Sequence, residues 1–187
     1  RRWRGQSGEI DLLYGKQDQT WVERVRKLPG VVVGVIEPAE LSGLYLNTKA
    51  KPLDDVRVRQ AIAHAIDRKG LVDFKGALVS RPAVSIVPSG YFGTDEASAQ
   101  QTLDIAKAKA LLTEAGYPNG VTVKTIHTTL PGMQSTIEAV QAQLKKAGIT
   151  LDIELVEHAT VHAKIREDLS PIVHYAAARF PVADVYL

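Results

Sequence analysis

The hydrophobic positions of this chain change period repeatedly, from the spacing of a helix to that of a strand and back. In the helical stretches apolar residues recur every three or four positions, and in the strands they alternate with polar residues or form short β-branched runs. The second half runs helix, strand, helix, strand, helix, strand, which is the order of an α/β layered domain with crossover helices. We expect the strands at 121–126, 151–156 and 172–177 to share one sheet.

Local signals at the ends of these segments set the predicted boundaries. Asp54 or Asp55 can cap one helix, and Asp104 can cap another, because a carboxylate accepts hydrogen bonds from the free N–H groups of a first turn. Gly116 and Gly148 are typical left-handed helix stops. Further helices are predicted at 18–28, 67–74, 137–147 and 161–169, and shorter strands at 31–36 and 44–46.

Composition narrows the classes of protein that are compatible with this pattern. The chain has 187 residues, of which 45% are hydrophobic, enough for one packed domain or for a domain with a piece of another. A net charge of +2 argues against a nucleic-acid-binding face, and the absence of cysteine excludes disulfides and thiolate metal sites. No apolar run approaches the length of about 20 residues that spans a bilayer. Because the chain ends on an apolar stretch, we expect it to be a fragment that lacks its export signal.

Two histidines have a spacing that metal sites use. His158 and His162 are four residues apart and share a helix face if the helix starts early enough, and such a pair can bind zinc. The sequence indicates no third ligand, so two surface histidines without a metal are the favoured interpretation. His64 is expected to be structural, whereas His127 and His174 lie near strand ends, where contact with a ligand is possible.

Motifs of enzymes are missing from the sequence. It contains no glycine-rich dinucleotide or phosphate loop and no nucleophile elbow, so it predicts no cofactor, no metal and no catalytic residues. Arg57 and Arg59 can bind an anion, but local pairing with Asp54, Asp55 or Asp67 is the favoured alternative.

Three segments together resemble the peptide/nickel class of solute-binding proteins of ABC importers. The first runs from Leu44 to Asn47, then from Lys51 to Ile62 and on to Arg68, and matches a strand ending in Asn followed by Pro-x-x-Asp-x-Arg-Val-Arg-x-Ala and Ala-x-Asp-Arg. The second runs from Asp104 to Tyr117, and the third from Gln141 to Ile149. Gly8 to Asp11 resembles the segment just before this lobe, so the resemblance covers nearly the whole chain in order.

The resemblance implies a two-lobed protein that closes on its ligand about hinge strands. On this basis the chain is expected to be an α/β, periplasmic-binding-protein-like lobe of type II, with a mixed sheet and flanking helices. Residues 1–40 are expected to be a remnant of the hinge or first lobe, and 41–187 to be the C-terminal ligand-binding lobe, incomplete at its end. Most matched residues cap or pack helices and touch no ligand.

The resemblance also places ligand contacts near the end of the last strand. Peptide binders of the family often have a Trp there, then an Asp that pairs with the peptide amine, but this sequence has no Trp between Tyr175 and Asp184. Arg179 falls at or near the acidic position and favours an anionic group on the solute, unless it pairs with Asp184. Phe180, Tyr175 and Tyr45 are expected to line the same site.

The expected function is therefore non-enzymatic capture of a short peptide or a carboxylate-bearing organic solute. The expected partners are that solute and the membrane permease of an ABC importer, with no nucleic acid and no insertion into the membrane. The expected location is periplasmic or otherwise extracytoplasmic. The alternatives are a ligand-sensing or scaffold domain with the same fold and, third, a small α/β enzyme.

Overall fold

The computed structural model describes residues 11–13, 15, 18–34, 40–83, 85–87, 89, 92–95 and 102–178. In chain order its elements are α1 (Gln19–Val25), β1 (Glu40–Leu46), α2 (Val56–Ala65), α3 (Arg68–Lys75), α4 (Ile105–Glu114), β2 (Val121–Thr128), α5 (Pro131–Lys146), β3 (Ile149–Val156), α6 (His158–Arg166) and β4 (Ile172–Ala178).

One mixed sheet organises the described part of the chain, with the strand order β1-β4-β2-β3. β2 runs parallel to both β3 and β4, and β1 pairs antiparallel with β4 at the edge. The three strands expected to share a sheet do so, and the prediction of an α/β fold with a mixed sheet is confirmed. Two crossovers, through α5 and α6, are the connections that parallel strands require.

The core lies between one face of the sheet and three helices. Apolar side chains of α2, α4 and α5 pack on those of β2, β3 and β4, and the fully buried ones include Val58, Ala108, Ile137, Leu144, Ile149, Leu151 and Ile172. α6 lies against the opposite face, where His162 contacts Tyr175 of β4. Successive residues of β4 point to opposite faces, so Ile172 and His174 face the core helices while Val173 and Tyr175 face α6.

The helix caps predicted from aspartate residues are present at the starts of α2 and α4. The side chain of Asp55, rather than Asp54, accepts a hydrogen bond from Arg57 N at the start of α2. Asp104 caps α4 in the same way through Lys107 N. Gly116 and Gly148, which follow the ends of α4 and α5, have φ values of 91° and 88°, the left-handed conformation that glycine adopts without strain.

One sequence prediction needs correction. The strand expected at 31–36 is wrong for residues 31–34, which are irregular, and residues 35–36 lie outside the described residues. Val32 is 96% exposed and its valine neighbours are only half-buried, so β propensity alone does not make this run a strand. The helix predicted at 137–147 is confirmed, and it begins at Pro131, because proline fits the first turn, where its missing N–H is not needed.

Candidate functional site

The carboxyl ends of β2, β3 and β4 meet at one edge of the sheet, because these strands run in the same direction. β1 runs the other way and brings its first residue, Glu40, opposite Ala178 at the end of β4. Open α/β sheets bind ligands outside the carboxyl ends of their strands. This edge, which we call the carboxyl edge, is therefore the candidate site.

Tyr45 and Tyr175 lie on the same face of the sheet but in different surroundings. In the β1–β4 register Tyr45 is opposite Val173, and Tyr175 is opposite Gly43. Tyr45 is 45% exposed and lines a shallow cavity of about 350 Å³ near the start of β4. Tyr175 is half-buried near the carboxyl edge, with its ring edge-on to His162 at a centroid distance of 5.9 Å. The two tyrosines thus share a face without meeting in one pocket.

The other two expected ligand contacts, Arg179 and Phe180, lie outside the described residues, as does Asp184. β4 ends at Ala178, so Arg179 is the next residue of the chain after a strand that reaches the carboxyl edge. Its role stays a prediction.

A buried pair of histidines spans β2 and β4 on the core face. His127 Nε2 lies 2.9 Å from His174 Nδ1, and the two rings are stacked with centroids 5.2 Å apart. The side chains are only 1% and 8% exposed. His174 Nε2 lies 3.0 Å from Ser42 Oγ on β1, so one chain of hydrogen bonds crosses three strands from an exposed serine into the interior.

The direction of the protons in this chain follows from its inner end. His127 Nδ1 lies 3.1 Å from the carbonyl oxygen of Thr128, which can only accept, so this nitrogen carries the proton. In the neutral pair His127 Nε2 then accepts from His174 Nδ1, and His174 Nε2 accepts from the hydroxyl of Ser42. Every nitrogen of the pair is satisfied, which is what burial of polar groups requires.

Burial keeps this pair neutral. Burial, together with the neighbouring basic groups His127 and Lys75, lowers the pKa of His174 to about 4. Burial likewise lowers the pKa of His127. A serine, a histidine and a third orienting group suggest a nucleophile chain, but an imidazole with so low a pKa is a weak general base at neutral pH. The low pKa of His174 therefore argues against activation of Ser42 by this pair.

A second histidine pair lies on the other face, at the start of α6. The expectation that His158 and His162 share a helix face is confirmed, since both belong to α6, and their Nε2 atoms are 3.3 Å apart. They are half-buried rather than fully on the surface. Within the described ranges, no group of three or more His, Cys, Asp or Glu side chains gathers to hold a metal ion.

The remaining charged candidates, Arg57 and Arg59, form hydrogen bonds with nearby groups of the protein. The Arg57 guanidinium forms a two-pronged hydrogen bond with Asp55 and donates to Glu114 O at 2.7 Å, which ties α2 to the end of α4. The hydrogen bond from Arg57 lowers the pKa of Asp55 to about 2. Arg59 donates to the carbonyl oxygens of Leu53 and Asp54. The favoured interpretation of Arg57, local pairing with Asp55, is confirmed, whereas Arg59 bonds to backbone.

The sequence indicated part of this arrangement. The spacing of His158 and His162 was visible along the chain, but the chain of hydrogen bonds from Ser42 to His127 was not. Its only sequence signal is that two of the predicted strands each have one histidine in them or directly after them. None of the described helices is both long enough and apolar enough to cross a membrane.

Comparison with known families identifies the family of this chain. The sequence model of the bacterial extracellular solute-binding proteins, family 5 Middle, matches residues 1–187. The chain belongs to this family. The resemblance inferred from the three segments is thus confirmed, together with the fold.

Members of the family and solved structures are similar over most of the chain. The dipeptide-binding protein of Escherichia coli (strain K12) is 31% identical over 154 residues, which cover 79% of this chain and 26% of the relative. The structure of MoaA from A. tumefaciens R10 in complex with mannopinic acid is 47% identical with a TM-score of 0.85, and the match covers 98% of this chain and 37% of that one. DppA from Helicobacter pylori in complex with the peptide STSA is 30% identical with a TM-score of 0.80, over 98% of this chain and 35% of that one.

The chain therefore spans between about a quarter and somewhat over a third of the length of these family members. The similarity establishes the fold and the family of this chain.

Proposed function

We propose that this chain is part of the solute-binding protein of an ABC importer and that the protein captures a carboxylate-bearing organic solute. The observation that carries the proposal is the 47% identity and TM-score of 0.85 with a structure that holds mannopinic acid. A second structure, AgaA with agropinic acid, is 35% identical over 74% of this chain with a TM-score of 0.67. Both solutes are acids, which agrees with an arginine after β4.

In this proposal residues 41–187 belong to the C-terminal lobe and residues 1–40 to the hinge or first lobe. The solute binds at the carboxyl edge between two lobes, and closure removes water from around it. The permease of the importer is the partner, the location is extracytoplasmic, and the protein is not an enzyme. The low pKa of the buried His174 supports the last point, since Ser42 has no effective base.

Arg179 is the proposed anchor of the solute carboxylate. A guanidinium binds a carboxylate through two parallel hydrogen bonds, which a closed and water-poor cleft strengthens. Phe180 and Tyr175 are proposed to contact the apolar part of the solute. Tyr45 is the weakest of the four, since its cavity lies toward the start of β4 rather than at the carboxyl edge.

The test is calorimetric titration of the full-length protein with mannopinic acid and, separately, with the dipeptide Met-Leu. We expect the acid to bind more tightly. Arg179→Ala is expected to weaken its binding by about 2–5 kcal/mol, as when one partner of a buried charge pair is removed. Arg166→Ala, which removes an exposed arginine at the end of α6, is the matched control and should leave the affinity unchanged.

Two results would count against the proposal. Preferential binding of Met-Leu would assign the protein to peptide uptake instead. Equal affinities of the wild type and Arg179→Ala, with a lower melting temperature of the variant, would identify Arg179 as a structural partner of Asp184.

A further inference from the structure

The histidine pair at the start of α6 has the geometry of a metal chelate. His158 and His162 are one helical turn apart, and their Nε2 atoms approach to 3.3 Å with the rings at 81° to each other. Within the described part of the chain, neither Nε2 atom has a hydrogen-bond partner other than the second Nε2 atom. The two Nε2 atoms therefore lie close enough together to be ligands of one ion.

The separation of the two nitrogens is compatible with tetrahedral coordination. Zinc–nitrogen bonds of about 2.0–2.1 Å at the tetrahedral angle place two nitrogen ligands about 3.3–3.4 Å apart. An octahedral ion with bonds of about the same length holds neighbouring ligands at right angles, only about 2.9–3.0 Å apart. The observed distance matches the edge of a tetrahedron.

We propose that His158 and His162 form a zinc-binding site, with Nε2 of each as a ligand and water in the two remaining tetrahedral positions. This inference reverses the interpretation favoured from the sequence, which lacked the position of the side chains. The zinc site is independent of the proposed solute transport, because both ligands belong to α6 and neither is one of the proposed solute contacts. The site is partly open, because both histidines are half-buried rather than enclosed.

The surroundings of the two ligands differ. The ring of Tyr175 lies edge-on to His162 at 5.9 Å and restricts the orientation of that imidazole. His158 Nδ1 is buried and has no hydrogen-bond partner within the described part of the chain. A metal-bound imidazole carries its proton on this second nitrogen, and ligands that lack a partner there lose about 10–100-fold in metal affinity. We therefore expect zinc binding weaker than that of an enclosed structural site.

The experiment uses the full-length protein without a histidine tag, freed of metal by dialysis against a chelator. Zinc is titrated in competition with a chromogenic zinc chelator, and we expect one ion per chain. His158→Ala and His162→Ala should each weaken zinc binding at least tenfold. Cobalt added to the wild type should give the visible absorption of a tetrahedral ion, and the same variants should lose it.

Two control variants separate the geometry from the mere presence of histidine. Thr160→Ala changes an exposed residue between the ligands and should keep the zinc affinity of the wild type. The double variant Thr160→His with His162→Ala keeps the number of histidines but places them two residues apart, on different faces of α6, and should lose binding. Zinc binding by that double variant at the wild-type level overturns the proposal, and so does the absence of zinc binding in the wild type.

Discussion

At the scale of single residues, His174 has the environment with the clearest energetic consequence. Its imidazole is buried among β1, β2 and α3, where His127, Lys75 and the hydroxyl of Ser42 face it. The hydroxyl can adapt to either protonation state by turning, but the two basic groups cannot. A proton on His174 is therefore opposed by desolvation and by the neighbouring positive charge.

This environment predicts a loss of stability in acid. The pKa of His174 is lowered from 6.5 to about 4 in the folded state, so the unfolded chain binds the proton more tightly. The contribution to stability is complete above pH 6.5 and is lost as the pH falls toward 4, amounting to about 3 kcal/mol at 1.36 kcal/mol per pKa unit.

The contribution of His174 to the free energy of unfolding can be measured by urea unfolding of the wild type and of His174→Gln at pH 7 and pH 4. The loss between the two pH values should be about 3 kcal/mol smaller in His174→Gln, because the variant has no imidazole to protonate there. Equal losses in both proteins would show that His174 is not the group responsible.

At the scale of elements, the glycines that directly precede β2 and β3 depend on each other. Gly120 precedes β2 with a φ of 90°, and Gly148 precedes β3, where its carbonyl oxygen accepts from Val121 N at 3.0 Å. A Cβ on Gly120 would collide with that oxygen, which belongs to backbone and has no freedom to swing away. The turns that start β2 and β3 therefore need glycine at position 120 for two reasons.

Gly120→Ala is accordingly predicted to destabilise the protein by at least about 2 kcal/mol, from the left-handed conformation together with the collision. Gly132→Ala is the matched control, since its Cβ would meet nothing within 4 Å in the first turn of α5. Alanine there should be neutral or stabilise by up to about 1 kcal/mol, because it restricts the unfolded chain. Thermal unfolding of both variants tests this, and a Gly120→Ala protein as stable as the wild type would contradict it.

At the scale of the whole molecule, the proposed two-lobe arrangement predicts that binding needs more than this chain. The family members described above are roughly three times as long, since the matches use most of this chain but cover only 26–37% of them. If the solute binds between two lobes, residues 1–187 supply only part of its contacts.

We therefore expect residues 1–187 alone to bind mannopinic acid at least about 100-fold more weakly than the full-length protein, a difference of about 2.7 kcal/mol or more. Circular dichroism should first establish that the isolated chain is folded. Calorimetry that finds the same affinity for both would contradict binding between two lobes.

What the sequence determined by itself is local. Asp55 and Asp104 start helices through hydrogen bonds to residues two or three positions away, and Gly116 and Gly148 end helices through their own conformational freedom. The alternation at Leu151 and Ile153 needs only the geometry of one strand. Such interactions involve residues that are close together in the sequence, so the helices, the main strands and the family could be predicted.

What only the tertiary structure decided depends on segments far apart in the chain. Ser42 and His174 are separated by 132 residues, and only the order β1-β4-β2-β3 places them and His127 in one line of hydrogen bonds. Val31 to Gly34 has the composition of a strand, but a strand needs a partner and a surface to bury, and these are supplied by distant residues. The distance between His158 and His162 likewise followed from side-chain positions, because their spacing is the same in a metal site and in an ordinary helix.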